Sequence, residues 1–231
     1  MILVPVKNLT SAKQRLATAL DQTARTELAH AMLTDVLDAI AAFAGDDVSL
    51  VTSDPFALDL AKKFAFNIIR DDSNISETDA IEMATRVCEA HGIDSVLVVP
   101  GDIPLIDEGE IRSIYENAPA NGAVLVPSRD KRGTNAVLRR PASLFPLRFG
   151  NDSFTPHLSA AIATDTSCVV LSLSGIGLDI DTPDDLHELA KITGAKESQV
   201  LARRHGFGEE QKSRLASPAL GSGAIPLTAK P

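Results

Sequence analysis

The segment 95–104, which reads Ser-Val-Leu-Val-Val-Pro-Gly-Asp-Ile-Pro, most constrains how this chain folds. Four apolar residues, Val96 to Val99, run without interruption into a turn that carries Asp102 between Gly101 and Pro104. A short continuous apolar run is typical of a central parallel strand covered on both faces. Ligands of such sheets bind beyond the carboxyl ends of the strands. The sequence therefore predicts an α/β fold with Asp102 at the ligand-binding edge.

A second acidic turn lies about eighty residues further on, at 178–186, with the sequence Leu-Asp-Ile-Asp-Thr-Pro-Asp-Asp-Leu. Asp179 and Asp181 alternate along an extended segment, so both side chains can point to one face. Magnesium prefers hard oxygen ligands and takes one or two protein carboxylates together with water and phosphate oxygens. We therefore expect a magnesium site near Asp102, Asp179 and Asp181. The alternative is that Asp181 and Thr182 cap the last helix and that Asp102 only satisfies turn amides.

The composition limits the class of protein. Of the 231 residues, 44% are hydrophobic and 23% charged, which is ordinary for a globular domain. The net charge is −9 without a basic cluster, so we expect no nucleic-acid partner. The apolar runs are shorter than the roughly 20 residues needed to cross a bilayer. Residues 1–7 resemble a first strand more than a secretory signal, and Cys88 and Cys168 lack metal-ligand spacing. We therefore expect a cytoplasmic protein without a membrane partner.

Strand and helix patterns alternate along the chain as far as residue 192. This predicts a mostly parallel sheet flanked by helices, with a late β excursion over its carboxyl edge. The predicted strands are 2–6, 47–52, 67–70, 96–99, 123–127, 135–139, 169–173 and 177–180. The predicted helices are 23–43, 55–64, 77–90, 107–116 and one from 183, with a loop at 145–155. Residues 1–192 are predicted to form one domain, and 193–231 a polar, mobile tail with a loose helix at 196–215. The helix 23–43 is suited equally to the core and to a homodimer face.

Basic residues follow the first predicted strand. The loop 5–16 carries Lys7, Lys13 and Arg15 and leads into a helix, a location that suits a triphosphate. It has no glycine and is therefore neither a P-loop nor a dinucleotide-binding turn. An ordinary solvated face is the alternative.

Small and hydroxyl residues form a third candidate element, at 132–135 and 149–154. Their amides and hydroxyls can approach an anion closely, although ordinary turn chemistry also explains each piece. His157 lies four residues after Ser153, but no nucleophile-elbow sequence supports a hydrolase. The segment 74–80 fits a helix cap, from Ser76 with Asp79, better than a base-contacting loop.

Several of these segments together resemble the guanylyltransferases of deazaflavin coenzyme F-420 biosynthesis, the CofC family. The resemblance runs in order over residues 1 to about 190. It is carried by Val-Pro-Val-Lys at 4–7, Ala-Lys-Gln-Arg-Leu at 12–16, Pro-Gly-Asp-Ile-Pro at 100–104, Arg-Gly-Thr at 132–134, Phe-Gly-Asn-Asp-Ser at 149–153 and the acidic turn at 179–186.

The resemblance implies a nucleotidyltransferase-like fold and transfer of GMP from GTP to a small phosphorylated carboxylic acid, with pyrophosphate leaving. The acid is 2-phospholactate, phosphoenolpyruvate or 3-phosphoglycerate. By similarity, the implied catalytic residues are Asp102, Lys13 and Arg15; the magnesium ligands Asp102, Asp179 and Asp181; the acid-binding residues Thr134, Gly150 and Ser153; and the GTP-binding residues Pro5, Val6, Lys7, Lys13, Arg15 and Thr78.

One departure from the family pattern concerns the nucleotide. Many relatives carry a Gly-Leu-Asn-type sequence before the mid-chain helix, whereas this chain reads Ile75-Ser76-Glu77-Thr78. Base preference therefore stays open. The alternatives are a related nucleotidyltransferase that uses CTP or GTP on another phosphorylated acceptor, such as a sugar phosphate or molybdopterin, and a non-catalytic nucleotide-binding or scaffold protein.

Overall fold

A seven-stranded sheet forms the centre of the protein, which is described by a computed structural model at residues 1–44, 47–73 and 75–209. The strands are β1 Ile2–Val6, β2 Val48–Thr52, β3 Asn67–Ile69, β4 Val96–Val98, β5 Gly122–Pro127, β6 Thr134–Arg140 and β7 Ser167–Val170. The helices are α1 Gln22–Ala44, α2 Pro55–Lys63, α3 Glu77–Ala90, α4 Glu108–Glu116, α5 Phe154–Ile162, α6 Pro183–Lys191 and α7 Glu197–Arg204. Two 3-10 turns, Leu9–Ser11 and Gln14–Leu16, follow β1.

The strand order is β3-β2-β1-β4-β6-β5-β7, and only β6 is antiparallel to its two neighbours among the described strands. β1 pairs in parallel with β4, with Ile2 opposite Leu97 and Leu3 opposite Val98. The carboxyl ends of β1 and β4 therefore lie side by side, and so do the loops that follow them. The prediction of a mostly parallel sheet with a late β excursion is confirmed.

Apolar side chains cover both faces of the sheet. Leu33 and Leu37 of α1 pack with Val4, Leu50 and other strand residues on one face. On the opposite face, α3 and α5 cover β4, β5 and β6. Because β1, β4 and β5 are buried throughout, they carry continuous apolar sequence without polar alternation. β2 is equally buried but includes Ser49 and Thr52.

Two local predictions are wrong. Residues 177–180 do not form a strand, because a turn at 174–177 includes Gly177, whose N donates to Leu173 O at 2.8 Å. The loop predicted at 145–155 ends at Ser153, because helix α5, which the sequence analysis missed, begins at Phe154. The left-handed backbone at Gly150 and Asp152 (φ 118° and 55°) separates this helix from the preceding segment.

The prediction of a mobile tail from residue 193 is wrong for the residues around α7. Asp35 of α1 accepts hydrogen bonds from the backbone N of Glu197 and Ser198 at 2.8 and 2.9 Å, and from Ser198 Oγ at 2.5 Å. Leu201 and Ala202 are buried against α1 and α6. The buried apolar face and the Asp35 cap hold α7 on the domain. Residues 210–231 of the predicted tail lie outside the described residues.

None of the described helices is long and apolar enough to span a membrane.

Candidate functional site

A cavity of about 560 Å³, here called the first cavity, lies at the carboxyl edge of the sheet. It is bordered by the loop after β4, the turn between β5 and β6, the loop before α5 and the segment before α6. Antiparallel β6 begins at this edge, so its first residues join the ends of the parallel strands. The candidate residues that line the first cavity are Arg15, Asp102, Thr134, Gly150, Ser153, Asp179 and Asp181.

A second cavity of about 320 Å³ lies beside it, between the loop after β1 and helix α1. The candidate residues Pro5, Val6, Lys7 and Lys13 line it. The two cavities share Glu77, Pro100 and Asp102. Four of the GTP-binding candidates thus line the second cavity and the three acid-binding candidates line the first, with Asp102 on the border between them. Arg15, a GTP-binding candidate as well, lines the first cavity instead.

Lys13 joins the two acidic turns. Its Nζ donates to Asp102 Oδ2 at 2.8 Å and to Asp181 Oδ1 at 3.0 Å, and its side chain is only 8% exposed. Burial alone would lower the pKa of Lys13, but the charges of Asp102 and Asp181 outweigh it and raise the pKa. The backbone of Lys13 is left-handed, with φ 56°. The fold therefore holds a permanently charged cation between the two carboxylates.

Arg15 extends this pairing into the first cavity. Its guanidinium donates to Asp181 Oδ2 at 3.1 Å and to Asn151 Oδ1 at 3.0 Å, while 60% of its side chain is exposed. Burial would raise the pKa of Asp181, but Lys13 and Arg15 lower it overall. Asp181 is therefore held as a carboxylate at neutral pH.

Asp179 has a different environment from Asp181. Its Oδ1 accepts a hydrogen bond from Asn135 Nδ2 at 3.0 Å, and the same amide donates to Ile176 O at 2.8 Å. Burial raises the pKa of Asp179, and the Asn135 hydrogen bond opposes that rise. Ile180 N donates to Asp102 O at 3.1 Å, which fixes the two acidic turns to each other.

Glu110 of α4 binds the backbone just before the second acidic turn. Its carboxylate accepts from the backbone N of Gly175 and Ile176 at 2.7 and 2.9 Å. Burial raises the pKa of Glu110, while these two hydrogen bonds lower it. Glu110 therefore anchors the turn before Asp179 to helix α4.

The donor set suits a hard cation such as magnesium. Asp102 and Asp181 converge on one position, at which they already bind the cationic Nζ of Lys13. Two carboxylates with ligand and water oxygens are a usual magnesium site. Across residues 1–44, 47–73 and 75–209, however, no group of three or more His, Cys, Asp or Glu side chains is arranged to hold a metal. Magnesium binding by Asp102, Asp179 and Asp181 stays a prediction.

The other half of the first cavity contains a hydroxyl cluster. Thr134 N donates to Ser153 Oγ at 3.0 Å, and fully buried His157 contacts Thr134 Oγ1 through Nδ1 at 2.9 Å. Arg148 N donates to His157 Nε2 at 2.7 Å, so Nε2 is unprotonated and Nδ1 carries the proton. Thr134 Oγ1 therefore accepts a hydrogen bond from Nδ1–H. Its own hydroxyl proton has no acceptor among the described residues and can donate to an anion in the cavity.

Sequence reasoning missed two contributors to this site. His157 was considered only for nucleophilic catalysis, whereas the structure gives it a role in fixing the Thr134 hydroxyl. Arg129 lines the first cavity and pairs with Glu188. Arg132, which belongs to the predicted candidate segment 132–135, also lines this cavity and pairs with Asp152. The basic turn 128–134 was a visible signal for Arg129, but spacing alone indicates no partner for either arginine.

Thr78 does not line either of these two cavities. Its Oγ1 accepts a hydrogen bond from Phe149 N at 3.0 Å, which ties the first turn of α3 to the loop before α5. Its neighbour Glu77 lines both cavities instead. The direct role assigned to Thr78 in nucleotide binding therefore stays a prediction, and the geometry gives Thr78 a loop-fixing contact.

The family model for CofC-like guanylyl transferases matches residues 1–216 of this chain. The chain belongs to this family. It is 35% identical to the phosphoenolpyruvate guanylyltransferase of Sphaerobacter thermophilus, over 81% of this chain and 90% of that protein. It is 32% identical to the 2-phospho-L-lactate guanylyltransferase of Methanothermobacter thermautotrophicus, over 81% and 82%. It is 31% identical to the 3-phospho-D-glycerate guanylyltransferase of Colwellia psychrerythraea, over 83% and 91%.

Solved structures show the same fold. A nucleotide-diphospho-sugar transferase from Desulfovibrio desulfuricans superposes with a TM-score of 0.73 at 19% identity, over 89% of this chain and 94% of that one. A nucleotidyl transferase from Methanothermobacter thermautotrophicus gives 0.58 at 16% identity, over 81% and 94%. At these identities the likeness concerns the fold alone. The predicted family and the nucleotidyltransferase-like fold are confirmed.

Proposed function

We propose that this guanylyl transferase moves GMP from GTP to a small phosphorylated carboxylic acid and releases pyrophosphate, as a step of coenzyme F-420 biosynthesis. The acid is phosphoenolpyruvate, 2-phospholactate or 3-phosphoglycerate, the three acceptors in the names of its relatives. The observation that supports this most directly is the carboxylate pair, Asp102 and Asp181, held by Lys13 between the two adjoining cavities.

In this proposal each of the two cavities binds one of the two substrates. The second cavity receives the nucleotide, with the loop 5–15 at its phosphates. The first cavity receives the acid, for which Thr134, Ser153 and the backbone of Gly150 offer hydroxyl and amide groups. The fixed Thr134 hydroxyl is a ready donor to a phosphate or carboxylate oxygen.

The chemistry requires orientation and charge compensation more than proton transfer. The acceptor phosphate is already an anion near neutral pH, so its oxygen attacks the α-phosphorus of GTP without a strong general base. The new phosphorus–oxygen bond forms as the bond to the bridging oxygen breaks, and pyrophosphate leaves with that electron pair. Lys13 and Arg15 stabilise charge on the leaving group, and no covalent enzyme intermediate forms.

Magnesium is the cofactor that we assign to this reaction. Asp102 and Asp181, with Asp179 beside them, are the residues that would hold it. When bound, it supplies charge neutralisation between the triphosphate and the anionic acceptor.

The experiment that tests the proposal is pyrophosphate release from GTP and magnesium, with the three acids offered separately and CTP as the competing nucleotide. Release with one acid and GTP, but not with CTP, supports the proposal and identifies the acceptor. Release with CTP, or only with a sugar phosphate, would indicate a different nucleotidyltransferase. A folded protein that binds GTP but releases no pyrophosphate with any acceptor would contradict an enzymatic role. The cytoplasmic location and the homodimer stay predictions.

A further inference from the structure

Glu77 occupies a position that the proposed reaction does not explain. It lies in the first turn of α3, is half-buried, and borders both cavities next to Pro100 and Asp102. Its carboxylate has no hydrogen bond or ion pair within the described residues. Asp102 and Asp181, by contrast, are both paired with Lys13.

A carboxylate that is partly desolvated and has no protein partner is costly unless donors reach it. Burial raises the pKa of Glu77 to about 7; the neighbouring charge of Asp102 adds to that rise, and the charges of Lys13 and Lys7 only partly oppose it. Asp79, in the same first helical turn, is exposed and accepts a hydrogen bond from Ser76 Oγ at 2.6 Å. A charge placed only to complement the helix end would resemble Asp79. Glu77 faces the cavities instead, so its natural partner is a ligand that carries donors.

The second cavity favours a flat ring with such donors. Its lining includes the apolar side chains of Leu9, Ala29, Met32 and Leu33, which suit the face of a nucleobase. A triphosphate would be repelled by the carboxylate. Guanine presents the N1–H and one N2–H side by side, and one carboxylate can accept both. Cytosine and adenine each present a ring-nitrogen acceptor on that edge, which a carboxylate repels.

We infer that the carboxylate of Glu77 recognises guanine by accepting hydrogen bonds from N1–H and N2–H of a base bound in the second cavity. This rests on the proposed function, because it takes the second cavity as the nucleotide site. It makes Glu77, at a position where this chain departs from the Gly-Leu-Asn-type sequence, a specificity-determining residue of the chain.

The test compares GTP with ITP, whose base lacks the 2-amino group, at pH 8, at which the carboxylate is ionised. For the wild-type protein we expect kcat/KM to favour GTP over ITP by roughly tenfold or more, because a hydrogen bond to a charged group is lost with ITP. In Glu77→Gln the ratio should fall to within about threefold of one. Asp79→Asn removes the same charge from the same helical turn and should keep the wild-type ratio.

Two results would overturn this assignment. One is a Glu77→Gln variant that melts like the wild type and keeps the GTP-over-ITP preference. The other is an unchanged ratio together with a higher magnesium requirement, because Glu77 would then face a metal and not a base. If the wild-type protein releases no pyrophosphate with any acid, the proposed reaction fails. In that case the base contact can still be tested separately, by calorimetric measurement of the affinities of the wild type, Glu77→Gln and Asp79→Asn for GTP and ITP.

Discussion

The buried imidazole of His157 should make the stability of the protein fall between pH 7 and pH 5. Burial, and then the positive charge of Arg139, lower the pKa of His157 from 6.5 to about 4. Because the folded-state pKa lies below the unfolded value, the unfolded chain takes up a proton first as the pH falls. The stabilisation is fully present above pH 6.5 and is lost as the pH approaches 4.

The size of the effect follows from the two pKa values. A displacement from 6.5 to about 4 corresponds to about 3 kcal/mol once the pH is below both values. At pH 5 the unfolded imidazole is almost fully protonated and the folded one almost fully neutral, so about 2 kcal/mol of unfolding free energy is already lost. The carboxylates of the protein also make its unfolding free energy depend on pH. The prediction therefore compares the wild type with a variant that lacks only the His157 imidazole.

The assay is urea unfolding of the wild type and His157→Asn at pH 7 and pH 5. Asparagine places an amide donor near the Nδ1 position but cannot titrate. The variant loses the acceptor for Arg148 N, which costs roughly 1–3 kcal/mol at both pH values. Its loss of stability between pH 7 and pH 5 should be about 2 kcal/mol smaller than that of the wild type. His205→Asn, at the exposed end of α7, should behave like the wild type.

Equal losses of stability in the wild type and His157→Asn would refute this reasoning. A direct check is the nitrogen NMR signal of the imidazole. We expect a neutral ring with the proton on Nδ1 from pH 8 down to pH 5, as the contacts with Arg148 N and Thr134 Oγ1 require. An imidazolium signal with a midpoint near 6.5 would contradict both the tautomer and the linkage argument.

Three further predictions address the site and the docking of α7. Asp102→Asn should lower pyrophosphate release at least roughly 10³-fold with little change in melting temperature, because it removes charge at the junction of the cavities; near-normal turnover would exclude that role. Thr134→Val should raise the KM of the acid roughly tenfold and leave the KM of GTP unchanged, as steady-state kinetics can establish. Asp35→Ala removes the acceptor of three hydrogen bonds from α7 and should lower the free energy of unfolding by about 2–4 kcal/mol in urea titrations, whereas exposed Asp38→Ala should change it by less than about 0.5 kcal/mol.

Much of the fold could be predicted because its signals are local. The apolar run before Asp102 indicates a strand buried on both faces, and the helix predicted at 23–43 differs from α1 by one residue at each end. The helix α5 was missed because its start depends on left-handed backbone at Gly150 and Asp152, which an ordinary loop sequence also permits. The packing of α7 was missed because its partner Asp35 lies 162 residues earlier in the chain.

The same distinction explains what could be predicted of the site. The position of Asp102 at the ligand-binding edge could be predicted, because it follows a buried strand whose carboxyl end lies there. The position of the later acidic turn beside it has a different cause from the predicted one: no strand forms at 177–180, and the turn is held at Asp102 by the hydrogen bond from Ile180 N to Asp102 O. The pairing of charges at this edge could not be predicted. Lys13 reaches carboxylates 89 and 168 residues away, and its contacts depend on the left-handed turn that aims its side chain between them. Sequence therefore indicates which residues meet, whereas the pairing of charges follows from backbone geometry that no local pattern encodes.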